Sequence, residues 1–170
     1  EHRLNDVWQF RQNLRYTKSE LSFQAVTVNS YGPSYGSVVD DQGNTGRGTT
    51  NVDEDIAQFA VDNNFQGDFV IGDVSHTLLI GLDHQRNTTN YLSIFGTAPG
   101  INVNDPVYGL PITRPPRSTA FYDYEQKTRQ TGLYIQDQMA LDQWRLTLGG
   151  REDWVHTGTT FFNKGDATNT

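Results

Sequence analysis

Alternation of apolar and polar residues recurs in five segments of this chain and constrains its fold more than any other feature. Successive side chains of a β-strand point to opposite faces, so sustained alternation predicts strands with one apolar face. The clearest case places Trp144, Leu146 and Leu148 on one face and Arg145 and Thr147 on the other. The five predicted strands cover residues 7–28, 55–67, 76–86, 131–139 and 144–154. The predicted fold class is therefore all-β.

The composition argues against an ordinary compact domain. Only 35% of the 170 residues are hydrophobic, while aromatic residues reach 12%. A chain this polar would bury only a thin core as a soluble unit. No run approaches the ~18 apolar residues that a transmembrane helix needs. A membrane barrel remains compatible, because half of each strand and the long loops are polar by design.

The connections between the predicted strands alternate in length. Residues 29–51 and 87–127 are long and polar, whereas residues 68–75 and 141–143 are short. Outer-membrane barrels have short periplasmic turns and long extracellular loops. The span between Trp144 and Trp154 also fits: ten residues at ~3.3 Å each, tilted by ~45°, cross ~23 Å, close to the ~25 Å apolar band of such barrels. The pattern predicts antiparallel, up-and-down strands of a transmembrane β-barrel.

The first predicted strand changes its apolar side partway along. Apolar residues occupy even positions as far as Tyr16, but after Lys18 they occupy odd positions, at Leu21, Phe23 and Ala25. Two explanations fit: a β-bulge, or a strand that leaves the bilayer at this point.

Several functional classes receive no support. There is no cysteine, which excludes disulfides and thiolate sites, and the net charge of −7 disfavours a nucleic-acid partner. The scattered histidines and the acidic segments at 40–41 and 53–55 lack the spacing of a metal site, so neither a metal nor a cofactor is predicted. No catalytic triad or carboxylate pair is readable, and we expect no enzyme. The first ten residues are not a signal peptide, and we interpret both ends as cuts in a longer chain.

Five motifs together resemble those of a known family. They are WQFRQNLRY at 8–16, FAVDN at 59–63, HTLLIGLD at 76–83, QTGLYIQDQ at 130–138 and LGGREDW at 148–154. In order and spacing, over nearly the whole chain, they resemble TonB-dependent ferric-siderophore receptors of the ferrichrome and hydroxamate type. The last two motifs are the most specific pair.

The resemblance implies an identity for the whole chain. Residues 1–170 would be part of a barrel domain, holding about five of its 22 strands and neither the plug domain nor the TonB box. Such receptors lie in the bacterial outer membrane, contact its lipid, bind a ferric siderophore from outside and import it with energy from TonB. The siderophore itself holds the iron.

The resemblance also implies that loop aromatics line an outer vestibule. A large, half-apolar ligand gains from rigid aromatic surface that carries a hydroxyl group. The predicted siderophore-binding residues are Tyr31, Tyr35, Tyr91, Phe95, Tyr108, Phe121 and Tyr122. The alternative for each ring is a structural role at the base of a loop.

Charged residues give two further expectations. Arg114 and Arg117 are weaker candidates for contact with an anionic ligand. The side chains expected to face the barrel lumen, paired with a plug or with each other, are those of Asp83, Asp137, Arg145 and Arg151.

Two alternative functions remain open at this point. A soluble β-sandwich binding module would also carry exposed tyrosines, but it would cover the apolar face of residues 144–154 with a second sheet. A passive porin would share the barrel and lack a plug domain.

Overall fold

The computed structural model describes residues 2–28 and 39–162. In these ranges the chain forms one antiparallel sheet whose six strands lie side by side in chain order. The strands are β1 (His2–Arg3), β2 (Trp8–Val28), β3 (Asn44–Ile71), β4 (Val74–Asn102), β5 (Tyr122–Leu141) and β6 (Trp144–Phe161). A single 3₁₀ turn, Arg117–Thr119, precedes β5. The prediction of an all-β, up-and-down antiparallel sheet is confirmed.

All five predicted strands are present, and the two-residue β1 adds a short edge beside β2. The strands nevertheless extend further than predicted: β3 begins at Asn44, β4 continues to Asn102 and β5 begins at Tyr122. The extra segments of β3 and β4 are rich in Thr, Asn and Gly, and their apolar residues do not alternate regularly with polar ones. Backbone pairing between β3 and β4 holds them in the sheet, and pairing of that kind leaves no hydrophobic period in a sequence.

Two-residue turns close the β3–β4 and β5–β6 hairpins at the same end of the sheet. Gly72 has φ +61° and Asp142 has φ +49°, both in the left-handed region. Positive φ at this position matches the twist of tight hairpins, and Gly, Asn and Asp adopt it at least cost. The strand ends at Val28, Asn44, Asn102 and Tyr122, between which the long connections run, lie at the opposite end of the sheet.

Strand register joins the separate apolar stripes into one surface. Phe10 lies opposite Phe65, Phe65 opposite Ile80, and Ile80 opposite Ile135. We call the face that carries them the outer face and its opposite the inner face. The outer face also carries Trp8, Leu14, Tyr16, Phe59, Leu78, Leu82, Leu133, Trp144, Leu146, Leu148 and Trp154.

The apolar band that these residues form on the outer face has no protein cover among the described residues. Trp144 is 78% exposed, and Ile94 is the one hydrophobic side chain that is buried in the described ranges. A soluble sandwich would pack this face against a second sheet. An uncovered apolar band that crosses five strands is instead typical of a sheet that faces lipid. The structure therefore does not favour the sandwich alternative.

The facing of one predicted lumen residue is wrong. Asp83, Arg145 and Arg151 lie on the inner face as predicted, but Asp137 lies opposite Leu78 and Leu148 on the outer face. There its Oδ2 lies 2.8 Å from Nδ1 of His76, which shares that face. The pairing lowers the cost of a carboxylate on an apolar surface.

The change of apolar side in β2 is real and does not come from a bulge. β2 pairs with β3 in unbroken register from Trp8 to Val28. Leu21, Phe23 and Ala25 therefore lie on the inner face, while Phe10 and Tyr16 lie on the outer face. The second explanation, a strand that leaves the bilayer, agrees with this register.

In the described ranges, no helix has the length and apolarity to span a bilayer.

Candidate functional site

The inner face becomes apolar and aromatic beyond the level of Lys18, towards the long connections. One cross-strand row there reads Leu21, Glu54, Tyr91, Tyr124 and Phe161, from β2 to β6. The next row reads Phe23, Val52, Ser93 and Tyr122. Because the register is continuous, these side chains share one wall.

Aromatic rings in these rows contact one another in two groups. Tyr91 stacks on Tyr124 at 5.4 Å between ring centroids, and Tyr124 lies 5.7 Å from Phe161. Above them, the edge-to-face contacts of Phe121 are 5.5 Å to Phe95 and 4.6 Å to Tyr122. We call these six residues the inner aromatic cluster: Tyr91, Phe95, Phe121, Tyr122, Tyr124 and Phe161.

The inner aromatic cluster combines ring surface with neutral hydroxyl groups. Phe95, Phe121 and Tyr122 are exposed, so their surfaces are open to a ligand. Burial raises the pKa of Tyr124, and neighbouring Tyr91 adds to that effect. The phenol therefore stays protonated at neutral pH and can donate a hydrogen bond. Such a wall can bind a large ligand through apolar contact and a few hydroxyl groups.

The structure brings together four of the predicted ligand residues, namely Tyr91, Phe95, Phe121 and Tyr122. Tyr108, 74% exposed in the 103–121 connection, takes no part in the ring pairs of the described residues. Tyr31 and Tyr35 lie outside the described residues. Two cluster members, Tyr124 and Phe161, were not predicted. The sequence shows which side of its strand each of them occupies, but their position beside Tyr91 depends on the register between strands.

The 103–121 connection packs against the outer face of the sheet, above the apolar band. Asp53 of β3 accepts hydrogen bonds from Nη1 and Nη2 of Arg114. Asp123 of β5 accepts from Arg117 at 2.6 and 2.7 Å. Pro115 lies against Gly96, where a Cβ would meet its ring at 2.6 Å. Arg114 and Arg117 thus pair with carboxylates of the sheet, which argues against their predicted contact with an anionic ligand.

Acid should loosen this connection. The Arg114 guanidinium holds the pKa of Asp53 below its usual range. A carboxyl group whose pKa is lower in the folded state stabilises the fold at pH values above its unfolded pKa of about 4. That stabilisation is lost as the pH falls through the folded-state pKa. We expect a nitroxide at Val107→Cys to become more mobile below about pH 4, and to be more mobile already at pH 7 in Asp53→Asn. An electron paramagnetic resonance spectrum that is the same at low pH and in Asp53→Asn would show that the pair of Arg114 and Asp53 does not hold this connection.

Nearer the short turns, the inner face is polar and internally paired. The Tyr134 hydroxyl donates to Asp62 at 2.7 Å. Arg151 donates to Asp83 at 2.6 Å and to Asp153 at 2.6 and 2.8 Å. The lumen charges that pair with each other are therefore those of Asp83 and Arg151, as one predicted option had it. The described ranges hold no group of three His, Asp or Glu side chains placed to bind a metal.

Comparison with known proteins agrees with this architecture. The family described as TonB dependent receptor-like, beta-barrel matches residues 1–170. The ferrioxamine B receptor of Salmonella typhimurium is 34% identical over 155 residues, covering 91% of this chain and 20% of that protein. The ferrichrome outer membrane transporter/phage receptor of Escherichia coli K12 is 32% identical over 171 residues, covering 91% and 23%. The chain thus spans about a fifth of the length of these relatives.

Solved structures show the same fold. The siderophore receptor PiuA of Acinetobacter baumannii superimposes with TM-score 0.75 at 18% identity, over 99% of this chain and 26% of that one. The ferric-catecholate import receptor Fiu of E. coli K12 gives 0.76 at 17% identity, over 93% and 22%. The apolar outer face, the sheet topology and the family match all agree. The chain belongs to the TonB-dependent receptor β-barrel family and forms a segment of an outer-membrane barrel.

Proposed function

We propose that this chain forms part of the ligand-binding wall of a receptor that binds a ferric siderophore and imports it with energy supplied through TonB. The relatives are named as ferrioxamine and ferrichrome receptors, which supports a hydroxamate siderophore as the ligand class. TonB would engage a region of the receptor N-terminal to this chain, and outer-membrane lipid would cover the outer face.

One observation carries the proposal: the apolar side of β2 changes face without a bulge. At membrane level the apolar residues face outward, to lipid, as Phe10 and Tyr16 do. Beyond Lys18 the apolar residues of β2 face inward, as Phe23 does, on the same side as the inner aromatic cluster. Lipid contact does not require inward apolar residues above the membrane, whereas a vestibule that binds a half-apolar ligand does.

The chemistry that the proposal requires is binding rather than catalysis. The siderophore supplies the iron ligands, so the wall needs neither a protein-bound metal nor a cofactor, and the protein is not an enzyme. A segment with net charge −7 is also poorly suited to nucleic acid. Among the predicted contacts, Tyr91, Phe95, Phe121 and Tyr122 lie in the inner aromatic cluster, which supports the proposal. Ligand contact stays a prediction for these four residues and for Tyr31, Tyr35 and Tyr108.

Affinity measurements on a full-length receptor carrying this chain test the proposal. We expect Tyr91→Ala and Phe95→Ala each to weaken binding of ferrioxamine B or ferrichrome about tenfold, since each removes a ring from the wall. Tyr16→Ala is the matched control, because Tyr16 is an exposed tyrosine on the outer face. Saturable binding also separates a receptor from a passive porin.

Two results would contradict the proposal. One is unchanged affinity in both Tyr91→Ala and Phe95→Ala. The other is an equal loss in Tyr16→Ala, which would trace the effect to general destabilisation.

A further inference from the structure

The segment that leads into β5 passes from the outer face of the sheet to the inner face within a few residues. Arg117 pairs on the outer face with Asp123, and the ring of Phe121 lies on the inner face against Phe95 and Tyr122. A contact on the outside of the wall is thereby joined through a short piece of backbone to a ring of the inner aromatic cluster.

The outer end of this segment is held by a strong ion pair. Nε and Nη2 of Arg117 donate to Oδ2 and Oδ1 of Asp123 at 2.6 and 2.7 Å. The Asp123 side chain is only 7% exposed, so the two-point contact satisfies a largely buried carboxylate. The guanidinium also lies 5.8 Å from the ring centroid of Phe162, whose N–H donates to the Asp123 carbonyl at 2.8 Å.

The backbone between Arg117 and Phe121 has little freedom. The N–H of Thr119 donates to the Pro116 carbonyl at 3.0 Å, and that of Ala120 to the Arg117 carbonyl at 3.0 Å. The Phe121 N–H then donates to Ser93 of β4 at 2.9 Å. These bonds form a tight 3₁₀ turn, so movement of Arg117 would be transmitted to Phe121.

The inner end depends on this support. Phe121 is 57% exposed and lies just before β5, where the bond from its N–H to the Ser93 carbonyl joins it to β4. Its edge-to-face contacts include the rings of Phe95 and Tyr122, which are themselves exposed. Contacts of this kind contribute modestly, and the backbone before β5 adds to what fixes the position of the ring.

We propose that Arg117 is a positioning residue for ligand binding: its pair with Asp123 on the outer face holds Phe121 in the inner aromatic cluster. The inference rests on the proposed function, because it assigns Arg117 a part in siderophore affinity although its guanidinium lies on the other side of the wall. Arg114 does not replace it, since Arg114 pairs with Asp53 on β3.

The first test is a double-mutant cycle in a full-length receptor carrying this chain, with ferrioxamine B as probe. We expect Arg117→Gln and Phe121→Ala each to weaken binding about five- to tenfold. The double variant should be no weaker than Phe121→Ala alone, because both changes remove the same contact. Arg117→Lys, which keeps the charge and one hydrogen bond, should fall between wild type and Arg117→Gln.

Lys127→Gln is the matched control. It removes another outer-face ion pair of β5, in which Nζ of Lys127 lies 2.6 Å from Glu125, and should leave affinity unchanged. Unchanged affinity in Arg117→Gln, or losses that multiply in the double variant, would overturn the positioning role.

The second test does not depend on the ligand. With 4-fluorophenylalanine at position 121, the ¹⁹F resonance should shift or broaden in Arg117→Gln and stay as in wild type in Lys127→Gln. An unmoved resonance in Arg117→Gln overturns the inference. If the resonance responds but Tyr91→Ala, Phe95→Ala and Phe121→Ala all leave affinity unchanged, the proposed function fails while the link between Arg117 and Phe121 stands.

Discussion

Phe65→Arg is expected to lower the free energy of unfolding of the receptor in lipid bilayers by about 2–4 kcal/mol. Phe65 lies on the outer face between Phe10 and Ile80, with its ring 5.0 Å from that of Phe10. A guanidinium there would face hydrocarbon, and no carboxylate lies directly opposite it. Denaturant unfolding in vesicles, followed by tryptophan fluorescence, gives the value.

Gln66→Arg is the control for this change. Gln66 is the next residue along β3 and lies on the inner face, opposite Gln9 and Leu79. A charge there meets a polar, water-accessible lumen, so the loss should stay below about 1 kcal/mol. Equal losses from the two substitutions would mean that the faces have been assigned wrongly.

His76→Leu is expected to cost about 2 kcal/mol, the second largest effect, because it leaves Asp137 unpaired on the outer face. Nδ1 of His76 lies 2.8 Å from Oδ2 of Asp137, and the imidazole stacks on Phe69 at 5.3 Å. Oδ1 of Asp137 is buried and already has no hydrogen-bond partner in the described ranges. Loss of His76 would leave the whole carboxylate without one.

The double variant His76→Leu, Asp137→Leu should recover most of that loss, since an apolar pair suits a lipid-facing site. The same unfolding assay measures it beside the two single variants. A double variant less stable than His76→Leu alone would show that the pair is not what makes this site tolerable.

Much of the fold could be predicted from the sequence, because membrane strands must alternate. Residues 144–154 show this best: the stripe from Trp144 to Trp154 appears in the structure as predicted, and the adjoining turn falls at Asp142 and Gln143. Gly72 and Asp73 likewise mark the other tight turn. At these positions local chemistry and the lipid-facing pattern require the same structure.

Other features depend on pairing between distant residues and could not be read from the chain. The part of β3 that begins at Asn44 and the part of β4 that ends at Asn102 are held together by backbone hydrogen bonds. Their apolar and polar residues do not alternate regularly. Asp137 was assigned to the lumen by its charge, although its parity matches Leu133 and Ile135. Only the approach of His76 from β4 explains why a carboxylate is tolerated there.

The candidate site divides in the same way. The residue types of Tyr91, Phe95, Phe121 and Tyr122 pointed to a binding surface. The structure places them beyond the level at which the apolar side of β2 changes. Their assembly with Tyr124 and Phe161 needed the register of β4, β5 and β6. The outward anchoring of Arg117 could not be predicted, because it depends on the path of an irregular connection.

A spin-label scan along β2 tests the central claim most directly. Single cysteines at residues 8–28 are convenient, since this chain has none, and each nitroxide reports its access to oxygen in lipid and to a nickel chelate in water. In a full-length receptor in bilayers, oxygen access should peak at even positions, such as 10 and 14, as far as residue 16. The alternation should disappear beyond Lys18. Nickel access at positions 10 and 14, or no alternation at all, would contradict a sheet that faces lipid below and a binding vestibule above.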